Sequence, residues 1–410
     1  MAQVCGAAAV ITGTAPVYET LTGEGYAAGL LGFSAIDRYL GREPLPFALV
    51  ETDAEIQDLA RLFEGLRFPG PDLADGAVRH EGRDFYFYCT ARRENSFNSF
   101  FIDDNPVRAA VFPLLEFSQD LRAMRFRDPR GVYPLLREIR SGSLSSPWWE
   151  DVNLGAGRYR ALMAAALILA RYGGAETPAG QIGRIAALFR GSGGTPPKPE
   201  EQRMVLSGIL SSPHPGPGLE LLRASGFIAE FWPELAAMDG VDHSKEFHPE
   251  GHVWNHTLET FRHRKPLPGD GYDLRLSLGL LLHDAGKPLS GSSGNRRFDG
   301  HAELGAWAAR RFMERLEFDP ALKADVFYLV KNHMLPAALK RLPLARTGEV
   351  MDSPLFPVLM ELYRCDEASS FKGLDGYYEN SAAYQTWLRN VRNPYRSADG
   401  KILGKRQRRS

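Results

Sequence analysis

The sequence predicts an α+β protein in which a small α/β unit is followed by two helical units. Short runs of aromatic and β-branched residues alternate with turn signals in the first hundred or so residues, and after Phe112 the apolar spacing becomes helical. With 410 residues the chain also exceeds the roughly 250–300 residues at which a single core stops growing. We predict an α/β unit over residues 1–112, a helical body over 113–240, a second helical unit over 241–395 and a basic tail over 396–410.

Composition excludes several classes of protein. The 49 basic and 50 acidic residues leave a net charge of -1, so any RNA contact has to come from local patches. Cys5, Cys89 and Cys365 are far apart, which argues against a disulfide framework or a zinc site and favours a reducing compartment. The longest strongly apolar stretch, residues 161–170, is about half the roughly 20 residues that span a bilayer. No basic residue precedes the apolar amino end, so we expect no signal peptide and a soluble, cytoplasmic protein without membrane contact.

Local patterns justify the individual elements. "PFALVE" (residues 46–51) and "RDFYFYCTAR" (83–92) predict strands, and "DAEIQDLARLFEGL" (53–66) predicts a helix with a good N-terminal cap. "RGSGGTPPKPE" (190–200) predicts a loop through its glycines and prolines. The helices predicted beyond the α/β unit cover residues 117–125, 158–172, 181–189, 200–210 and 219–225.

Histidines are concentrated in the last part of the chain. Eight of the ten lie at or after His243, which indicates a second functional unit. The segment "LLHDAGKP" (residues 281–288) sets His283 beside Asp284 at the end of an apolar run. This pair alone is a weak signal, because a His and an Asp at a helix end often bond only to each other or to the backbone.

Further histidines and an aspartate strengthen the signal. His252 and His256 are four residues apart and share one face of a predicted helix. His301, His333 and Asp366 each lie in a predicted helix or helix start of their own. Converging side chains from several helices are how helical bundles build metal sites. Imidazole and carboxylate together suit Mg²⁺, Mn²⁺, Fe²⁺, Ni²⁺ or Zn²⁺.

The order of these residues resembles the HD superfamily of metal-dependent phosphohydrolases. The flanking residues of "HPEGHVWNHT" and "LLHDAGKP" further resemble the bacterial tRNA nucleotidyltransferase and poly(A) polymerase family, in its form with an appended HD domain. The resemblance implies that four residues hold the principal metal: His256, His283, Asp284 and Asp366. It gives His301 and His333 to a second metal or to the substrate phosphate.

The same resemblance implies a catalytic group of His283, Asp284 and Lys287. A bound cation lowers the pKa of water and polarises a phosphoryl oxygen, and Lys287 is placed to contact a phosphate as a point charge. The expected reaction is hydrolysis of a phosphomonoester or a 2',3'-cyclic phosphodiester. A purely structural site stays open as an alternative. The family usually has Asp where this chain has His252. The imidazole at this position either alters the metal preference of the site or faces solvent.

Residues 25–54 resemble the nucleotidyltransferase head of the same family, but they differ from it at the positions that bind nucleotide and metal in active members. Active members have a Gly-Gly turn, an Arg-Asp pair, "LGREP" and two aspartates separated by one residue. Here the second Gly is Phe33, the Arg is Ile36, and the aspartate positions are Pro46 and Ala48. Two aspartates at i and i+2 of a strand share a face and can hold two Mg²⁺, whereas Pro and Ala offer no ligand.

The later head motifs are also weakened. "FYCTARRENSFNSFFIDD" resembles the family's next strand and motif, with Glu94 where the family has Asp and no acid within "FYFYCT". The residues that match are Arg92, Arg93 and Asn98. The helix that selects the nucleotide most resembles "GRYRALMAAALILARYG". Its selective positions become Arg158, Ala161 and Ala164.

The leading hypothesis is therefore an HD-domain phosphohydrolase that acts on RNA ends, tRNA among them, or on nucleotides, with nucleotidyl transfer lost. One alternative is a still-active tRNA CCA-end nucleotidyltransferase whose carboxylates lie elsewhere, although neither Glu43 nor Glu51 has the register to replace Pro46 and Ala48. A second is a non-catalytic RNA-binding protein that uses basic segments such as "MRFRDPR" and "GKRQRRS" for phosphate contacts.

Overall fold

The computed structural model describes residues 15–70, 73–90, 112–142, 144–150, 152, 157–174, 177–190, 194–242, 251–267, 271–290, 298–371 and 373–403. The chain divides into two compact units, Met1–Ala224 with Leu267–Gly271, and Ser225–Pro266 with Tyr272–Ser410. The predicted head motif at residues 91–104 and the end of the basic tail lie outside the described residues. The domain boundaries drawn from the sequence stay predictions.

The predicted α+β fold class is confirmed, with the sheet in the first unit and helices in both. The first unit contains α1 (Ala15–Gly23), β1 (Ala28–Leu31), α2 (Phe33–Leu40), β2 (Phe47–Thr52), α3 (Ile56–Leu62), β3 (Gly76–His80), β4 (Arg83–Cys89), β5 (Ser118–Asp120), β6 (Arg125–Arg127), α4 (Tyr133–Arg140), α5 (Arg158–Tyr172), α6 (Ala179–Leu188), α7 (Pro199–Leu210) and α8 (Pro215–Ala224). The second contains α9 (Phe227–Phe231), α10 (Pro233–Ala236), α11 (Val253–Thr260), α12 (Leu274–Leu282), α13 (His301–Arg315), α14 (Pro320–Asn332), α15 (Leu344–Asp352), α16 (Phe356–Ala368) and α17 (Asp375–Arg392).

The sheet of the first unit has six strands in the order β3-β4-β2-β1-β5-β6. Strands β2 and β4 are parallel, with Phe47 opposite Asp84, and all other neighbours are antiparallel. A parallel pair is usually covered on both faces, which explains why the predicted strands "PFALVE" and "RDFYFYC" read as nearly continuous apolar runs. Ala48, Val50 and Phe85 on these strands are completely buried.

The predicted helix over residues 117–125 is wrong, because this segment forms the hairpin of β5 and β6. Phe117, Leu121 and Met124 fit a helical spacing, which misled the sequence-based assignment. In the hairpin the Asp120 carboxylate accepts the backbone N–H groups of Arg122 and Ala123, and Met124 takes a left-handed conformation with φ +51°. Phe117 instead stacks on Phe126, with ring centroids 5.5 Å apart.

The predicted helix after β2 is present as the shorter α3. Its N-terminal cap is a capping box between Glu55 and Asp58, in which the Asp58 carboxylate accepts the Glu55 N–H at 3.1 Å. Asp53 lies outside the helix and accepts the N–H of Ala27 at 2.6 Å. It thereby ties the end of β2 to the start of β1.

Helix α5 is the centre of the helical part of the first unit. Residues 160–172 are all buried, and α7 and α8 pack against them. A Cβ atom added at Gly218 of α8 would lie 2.4 Å from the Ala166 carbonyl oxygen and 3.1 Å from the Ala170 Cβ. Only glycine permits so close an approach of the two helices. The buried Asp37 anchors α2 to the same helix, because it accepts hydrogen bonds from Arg171 at 3.1 Å and Tyr172 at 3.0 Å.

The second unit is built around α12, α13, α14 and α16, which pack against one another. Their apolar faces bury residues such as Phe312, whose ring lies 6.0 Å from that of Trp232. Arg264 is buried between α11 and α12, donates to the Ser277 hydroxyl at 2.7 Å and lies 4.3 Å from the Tyr272 ring centroid. Among the described residues, no helix is both long and apolar enough to cross a bilayer.

Two glycines of α8 provide a matched test of this packing. We expect Gly218→Ala to lower the free energy of unfolding by about 1–3 kcal/mol or more, because the added methyl meets backbone and cannot be accommodated. Gly216→Ala should be neutral or stabilising by up to about 1 kcal/mol, since a Cβ there meets nothing within 4 Å. Urea denaturation followed by circular dichroism measures both, and equal effects of the two variants would contradict the close approach.

Candidate metal centre

Four histidines of the second unit converge on one point. His256 lies on α11, His283 and His333 follow the last residues of α12 and α14, and His301 begins α13. The ring centroids of His256 and His283 are 5.5 Å apart, those of His283 and His333 5.5 Å, and those of His301 and His333 5.0 Å. The structure thus brings together residues that are up to 77 positions apart in the chain (333 minus 256).

Three of these imidazoles are oriented by the same local hydrogen bond. In His283, His301 and His333 the Nδ1 atom lies 2.8, 2.8 and 2.7 Å from the backbone carbonyl oxygen three residues earlier. A carbonyl can only accept, so Nδ1 carries the proton and Nε2 presents its lone pair to the centre. Hydrogen bonds of this kind to the second ring nitrogen fix the tautomer of metal-binding histidines.

His256 is oriented by a side chain instead. Its Nδ1 atom lies 3.3 Å from the Ser369 hydroxyl oxygen, and that hydroxyl donates to the Asp366 carbonyl oxygen at 2.7 Å. The Ser369 oxygen is therefore an acceptor toward His256. The Nε2 atom of His256 faces the Asp366 carboxylate at 2.9 Å.

The two aspartates complete two groups of ligand atoms. Within each group all candidate ligand atoms lie within 4.8 Å of one another, and the groups are His256, His283 and Asp366, and Asp284, His301 and His333. Asp284 lies between them: one oxygen is 3.3 Å from His283 Nε2 and the other is 3.7 Å from His301 Nε2. The sequence-based assignment put Asp284 with the first group, and the geometry also places it in contact with the second.

Burial and charge set the protonation of these groups. Burial lowers the pKa of His333 to about 4 and also lowers the pKa of His301, so both imidazoles are neutral at pH 7. For Asp366 burial acts in the opposite direction, but the hydrogen bond and charge of His256 outweigh it and hold the pKa of the carboxyl below its ordinary value. Neutral imidazole and ionised carboxylate are the forms that bind metals.

Lys287 contacts the centre directly. Its Nζ atom lies 2.5 Å from an Asp284 carboxylate oxygen and 5.6 Å from the Phe298 ring centroid. Only a small part of its side chain is exposed, so the ion pair is shielded from solvent. In this structure the lysine that was predicted to bind phosphate therefore forms an ion pair with Asp284.

Two glycines that the sequence analysis did not single out position the second group. A Cβ atom added at Gly286, within "HDAGK", would lie 2.0 Å from the His301 carbonyl oxygen and 2.4 Å from the Gly305 nitrogen. The turn after Asp284 therefore rests directly on the first turn of α13, which brings His301 to Asp284. The glycines at positions 286 and 305 were the sequence signal for this close contact. Nothing in the sequence around Ser369 indicated that it contacts His256.

His252 lies outside both groups. Its side chain is 49% exposed, and its Nδ1 atom is 3.1 Å from an Asp242 carboxylate oxygen. It is the N-terminal cap residue of α11. The structure therefore places this imidazole at the surface, and the neighbouring His243 and His248 lie outside the described residues.

Most positions that the sequence analysis aligned with nucleotidyltransferase motifs are buried, whereas Pro46 and Arg158 are only half-buried. Phe33 is completely buried and stacks on Tyr172, with ring centroids 6.0 Å apart. Ala48, Ala161 and Ala164 are completely buried as well. Among the residues that the structure describes, the two groups of the second unit are the only sets of three or more side chains arranged to hold a metal ion.

Comparison with known proteins identifies an HD domain over residues 253–359. This span contains every histidine and aspartate of the centre except Asp366, which follows shortly after it. One solved structure similar to the chain is the Bacillus stearothermophilus CCA-adding enzyme in complex with CTP, at a TM-score of 0.48 and 14% identity over 91% of this chain and 81% of that one.

Sequence relatives include the multifunctional CCA protein of Halorhodospira halophila, 34% identical over 33% of this chain and 32% of that protein. The CC-adding tRNA nucleotidyltransferase of Thermus thermophilus is 33% identical over 46% of this chain and 44% of that protein. The A-adding tRNA nucleotidyltransferase of Deinococcus radiodurans is 32% identical over 45% and 44%. Each match spans less than half of the relative. The chain carries an HD domain and is homologous to CCA-adding enzymes and related tRNA nucleotidyltransferases.

Proposed function

We propose that the second unit is a metal-dependent phosphohydrolase. The observation that carries the proposal is that the Nε2 atoms of His283, His301 and His333 have lone pairs but, in the part of the chain that the structure describes, no hydrogen-bond donor. The Nε2 atoms of His301 and His333 lie 3.1 Å apart while both Nδ1 atoms donate elsewhere, so a shared proton or a cation has to lie between them. The buried Nε2 atom of His283 has no hydrogen-bond partner among the described residues. Buried polar atoms rarely stay unpaired, and cations bound to the two groups would satisfy all three.

The donor set fits a hard to borderline divalent ion. His256, His283 and Asp366 would hold one ion, and Asp284, His301 and His333 would hold a second ion or, in the case of the two histidines, the substrate phosphate. Four imidazoles and two carboxylates favour Mn²⁺, Fe²⁺, Ni²⁺, Zn²⁺ or Mg²⁺ over soft thiophilic ions. Such an ion supplies Lewis acidity for a phosphoryl oxygen and lowers the pKa of water toward neutrality.

The residues around this position have separable roles. Asp284 has one oxygen near each group, so it could reach a cation held by either one. Lys287 holds Asp284 at 2.5 Å, and its ammonium would also be placed to contact a phosphate bound at this centre. His283, Asp284 and Lys287 are therefore the proposed catalytic residues. A phosphomonoester or a 2',3'-cyclic phosphodiester is the substrate that this arrangement suits, and the tRNA-related names of the relatives favour RNA ends, tRNA included, or nucleotides.

We further propose that the first unit does not transfer nucleotides. The positions that would hold two Mg²⁺ are Pro46 and Ala48, and Ala48 is completely buried. The nucleotide-selecting positions Ala161 and Ala164 are equally buried, so they cannot contact an incoming nucleotide. Both the absence of metal-binding side chains at Pro46 and Ala48 and the burial of Ala161 and Ala164 support this proposal.

One observation favours the alternative of an active transferase. Glu51, Asp53 and Asp120 line a common pocket at the end of β2, so acids are available in this unit. However, their oxygen atoms do not form a group within 4.8 Å of one another. Asp53 already accepts the Ala27 N–H, and Asp120 pairs with Arg127 at 2.9 Å. A silent HD site in an RNA-binding protein is the remaining alternative, and the experiments below separate the three.

Hydrolysis is tested with phosphomonoester and 2',3'-cyclic nucleotide substrates in the presence of Mn²⁺, Ni²⁺ or Mg²⁺. We expect activity that EDTA removes and that His283→Ala and Asp284→Ala reduce to background, because each substitution deletes a ligand. His252→Ala, an exposed imidazole in neither group, should keep wild-type activity. Wild-type activity in the His283 and Asp284 variants, or none in any protein, would overturn the hydrolase proposal.

Nucleotidyl transfer is tested by incorporation of labelled CTP or ATP into tRNA that lacks its 3' end, with an active transferase as the positive control. We expect no incorporation, because Pro46 and Ala48 supply no ligand. Robust incorporation by the wild-type chain would show that transfer persists. Loss of that incorporation in Glu51→Ala or Asp120→Ala would then locate the carboxylates.

Ser369 is expected to act on metal affinity through His256. We predict that Ser369→Ala weakens Mn²⁺ binding by about 10–100-fold, because the partner of His256 Nδ1 is lost. Ser369→Thr, which keeps the hydroxyl, should restore most of the affinity. Ser370→Ala is the control, since the Ser370 hydroxyl donates to the Glu367 carbonyl. Titration of free Mn²⁺ by electron paramagnetic resonance measures affinity without reference to catalysis, and equal affinity in the Ser369→Ala and wild-type proteins would refute the role.

A further inference from the structure

Arg83, the first residue of β4, has a guanidinium that the rest of the first unit does not satisfy. Its Nε and Nη1 atoms are buried and make no hydrogen bond. Its Nη2 atom donates to the Phe47 carbonyl at 3.1 Å, and the group lies 5.3 Å from the Phe85 ring centroid. Within the described residues, no carboxylate comes within 4.0 Å of it. Arg83 is therefore a largely buried cation without a counter-ion.

Such an arrangement is energetically unfavourable unless an anion is bound. A guanidinium stays protonated in proteins, so it cannot escape burial by losing its charge. Burial lowers the pKa of Arg83, and the charges of Tyr18, Asp37 and Glu43 oppose this shift. An unpaired buried charge is one of the most destabilising features a fold can contain. The unused N–H groups therefore indicate a ligand that carries negative charge.

The surroundings of Arg83 form a small pocket that suits such a ligand. Arg38 and Arg42 of the segment around α2 line the same pocket, as do the hydroxyl-bearing residues Tyr18 and Ser34. Ser34 accepts the Leu49 N–H at 3.0 Å through its oxygen, so its own O–H can donate. Burial raises the pKa of Tyr18 to about 12, which keeps its hydroxyl a donor at neutral pH. Three cations and two hydroxyl donors thus face one space.

One acid also lines this pocket, but its charge is already balanced. Asp37 accepts from Arg171 Nε at 3.1 Å and from the Tyr172 hydroxyl at 3.0 Å. Arg171 also lies 3.1 Å from the second Asp37 oxygen, so the ion pair as a whole carries no net charge. Arg42 donates one N–H to the Arg171 carbonyl and lies 5.4 Å from the Tyr172 ring centroid. The pocket keeps an excess of positive charge.

We propose that the pocket between β1, α2 and the start of β4 binds a single phosphate group without a metal ion. Guanidinium groups present paired N–H donors that match phosphate oxygens, and the hydroxyls of Tyr18 and Ser34 can serve the remaining oxygens. The lining presents three guanidinium groups and two hydroxyls, which is enough to contact the oxygens of one phosphate group. The group belongs either to free inorganic phosphate or to a mononucleotide. This site lies in the first unit and is separate from the proposed hydrolase centre.

The test uses the full-length protein in EDTA, so that metal-dependent binding does not contribute. Isothermal titration calorimetry with inorganic phosphate, AMP and adenosine compares the wild type with Arg83→Met, which keeps the length of the side chain without its charge. We expect saturable binding of phosphate and AMP, no binding of adenosine, and affinity at least about tenfold weaker in Arg83→Met, the effect of losing a hydrogen bond to a charged group. AMP binding tighter than phosphate identifies a nucleotide site, and equal affinity identifies a phosphate site.

Two further variants control for folding and for general charge. Arg79→Met removes the same charge from the neighbouring strand β3, outside the pocket, and should bind phosphate as the wild type does. Arg38→Met removes a less buried cation of the pocket and should weaken binding even if Arg83→Met is poorly folded. Thermal melts should show that phosphate stabilises the wild type and Arg79→Met more than Arg83→Met. No phosphate binding by the wild type, or equal affinities in all four proteins, would overturn the proposal.

Discussion

The candidate metal centre depends on carbonyl groups in the last turns of helices. These carbonyl oxygens have few backbone N–H partners, so they can accept from a side chain. His283 and His333 stand directly after the last residues of α12 and α14, and each donates its Nδ1 proton to the carbonyl three residues earlier. One interaction therefore satisfies a helix end and turns a ring nitrogen toward the centre. The rest of the site is arranged around nitrogens that are fixed in this way.

Much of this site could be predicted from the sequence, because residue types and their order are enough to indicate metal ligation. The order of these residues, each in its own predicted helix or helix start, and its resemblance to the HD superfamily predicted that they converge. The residues are His256, His283, His301, His333 and Asp366. The position of Asp284 between two groups could not be predicted, since it depends on the contact of Gly286 with α13. Ser369 was missed for a similar reason: a serine after a helix is common, and only the fold brings it to His256.

The first unit shows where periodicity misleads. Phe117, Leu121 and Met124 have the spacing of a helix face, yet the segment forms the β5–β6 hairpin, and β5 also pairs with β1. Asp120 organises the tight turn, and Phe117 stacks on Phe126. Tertiary contacts outweighed local propensity. Helix α5, by contrast, was predicted at its observed bounds because an unbroken apolar run flanked by glycines has few other ways to fold.

The ion pair of Lys287 and Asp284 bears on how the second unit folds in the absence of metal. Small domains that fold only around their metal have no internal substitute for its charge. Here an ammonium on the following turn balances the central carboxylate, and the His301 and His333 imidazoles are neutral. The helices can therefore assemble without a bound ion. An ion that binds as proposed would enter a finished framework, so its identity would follow from supply and exchange rather than from the folding reaction.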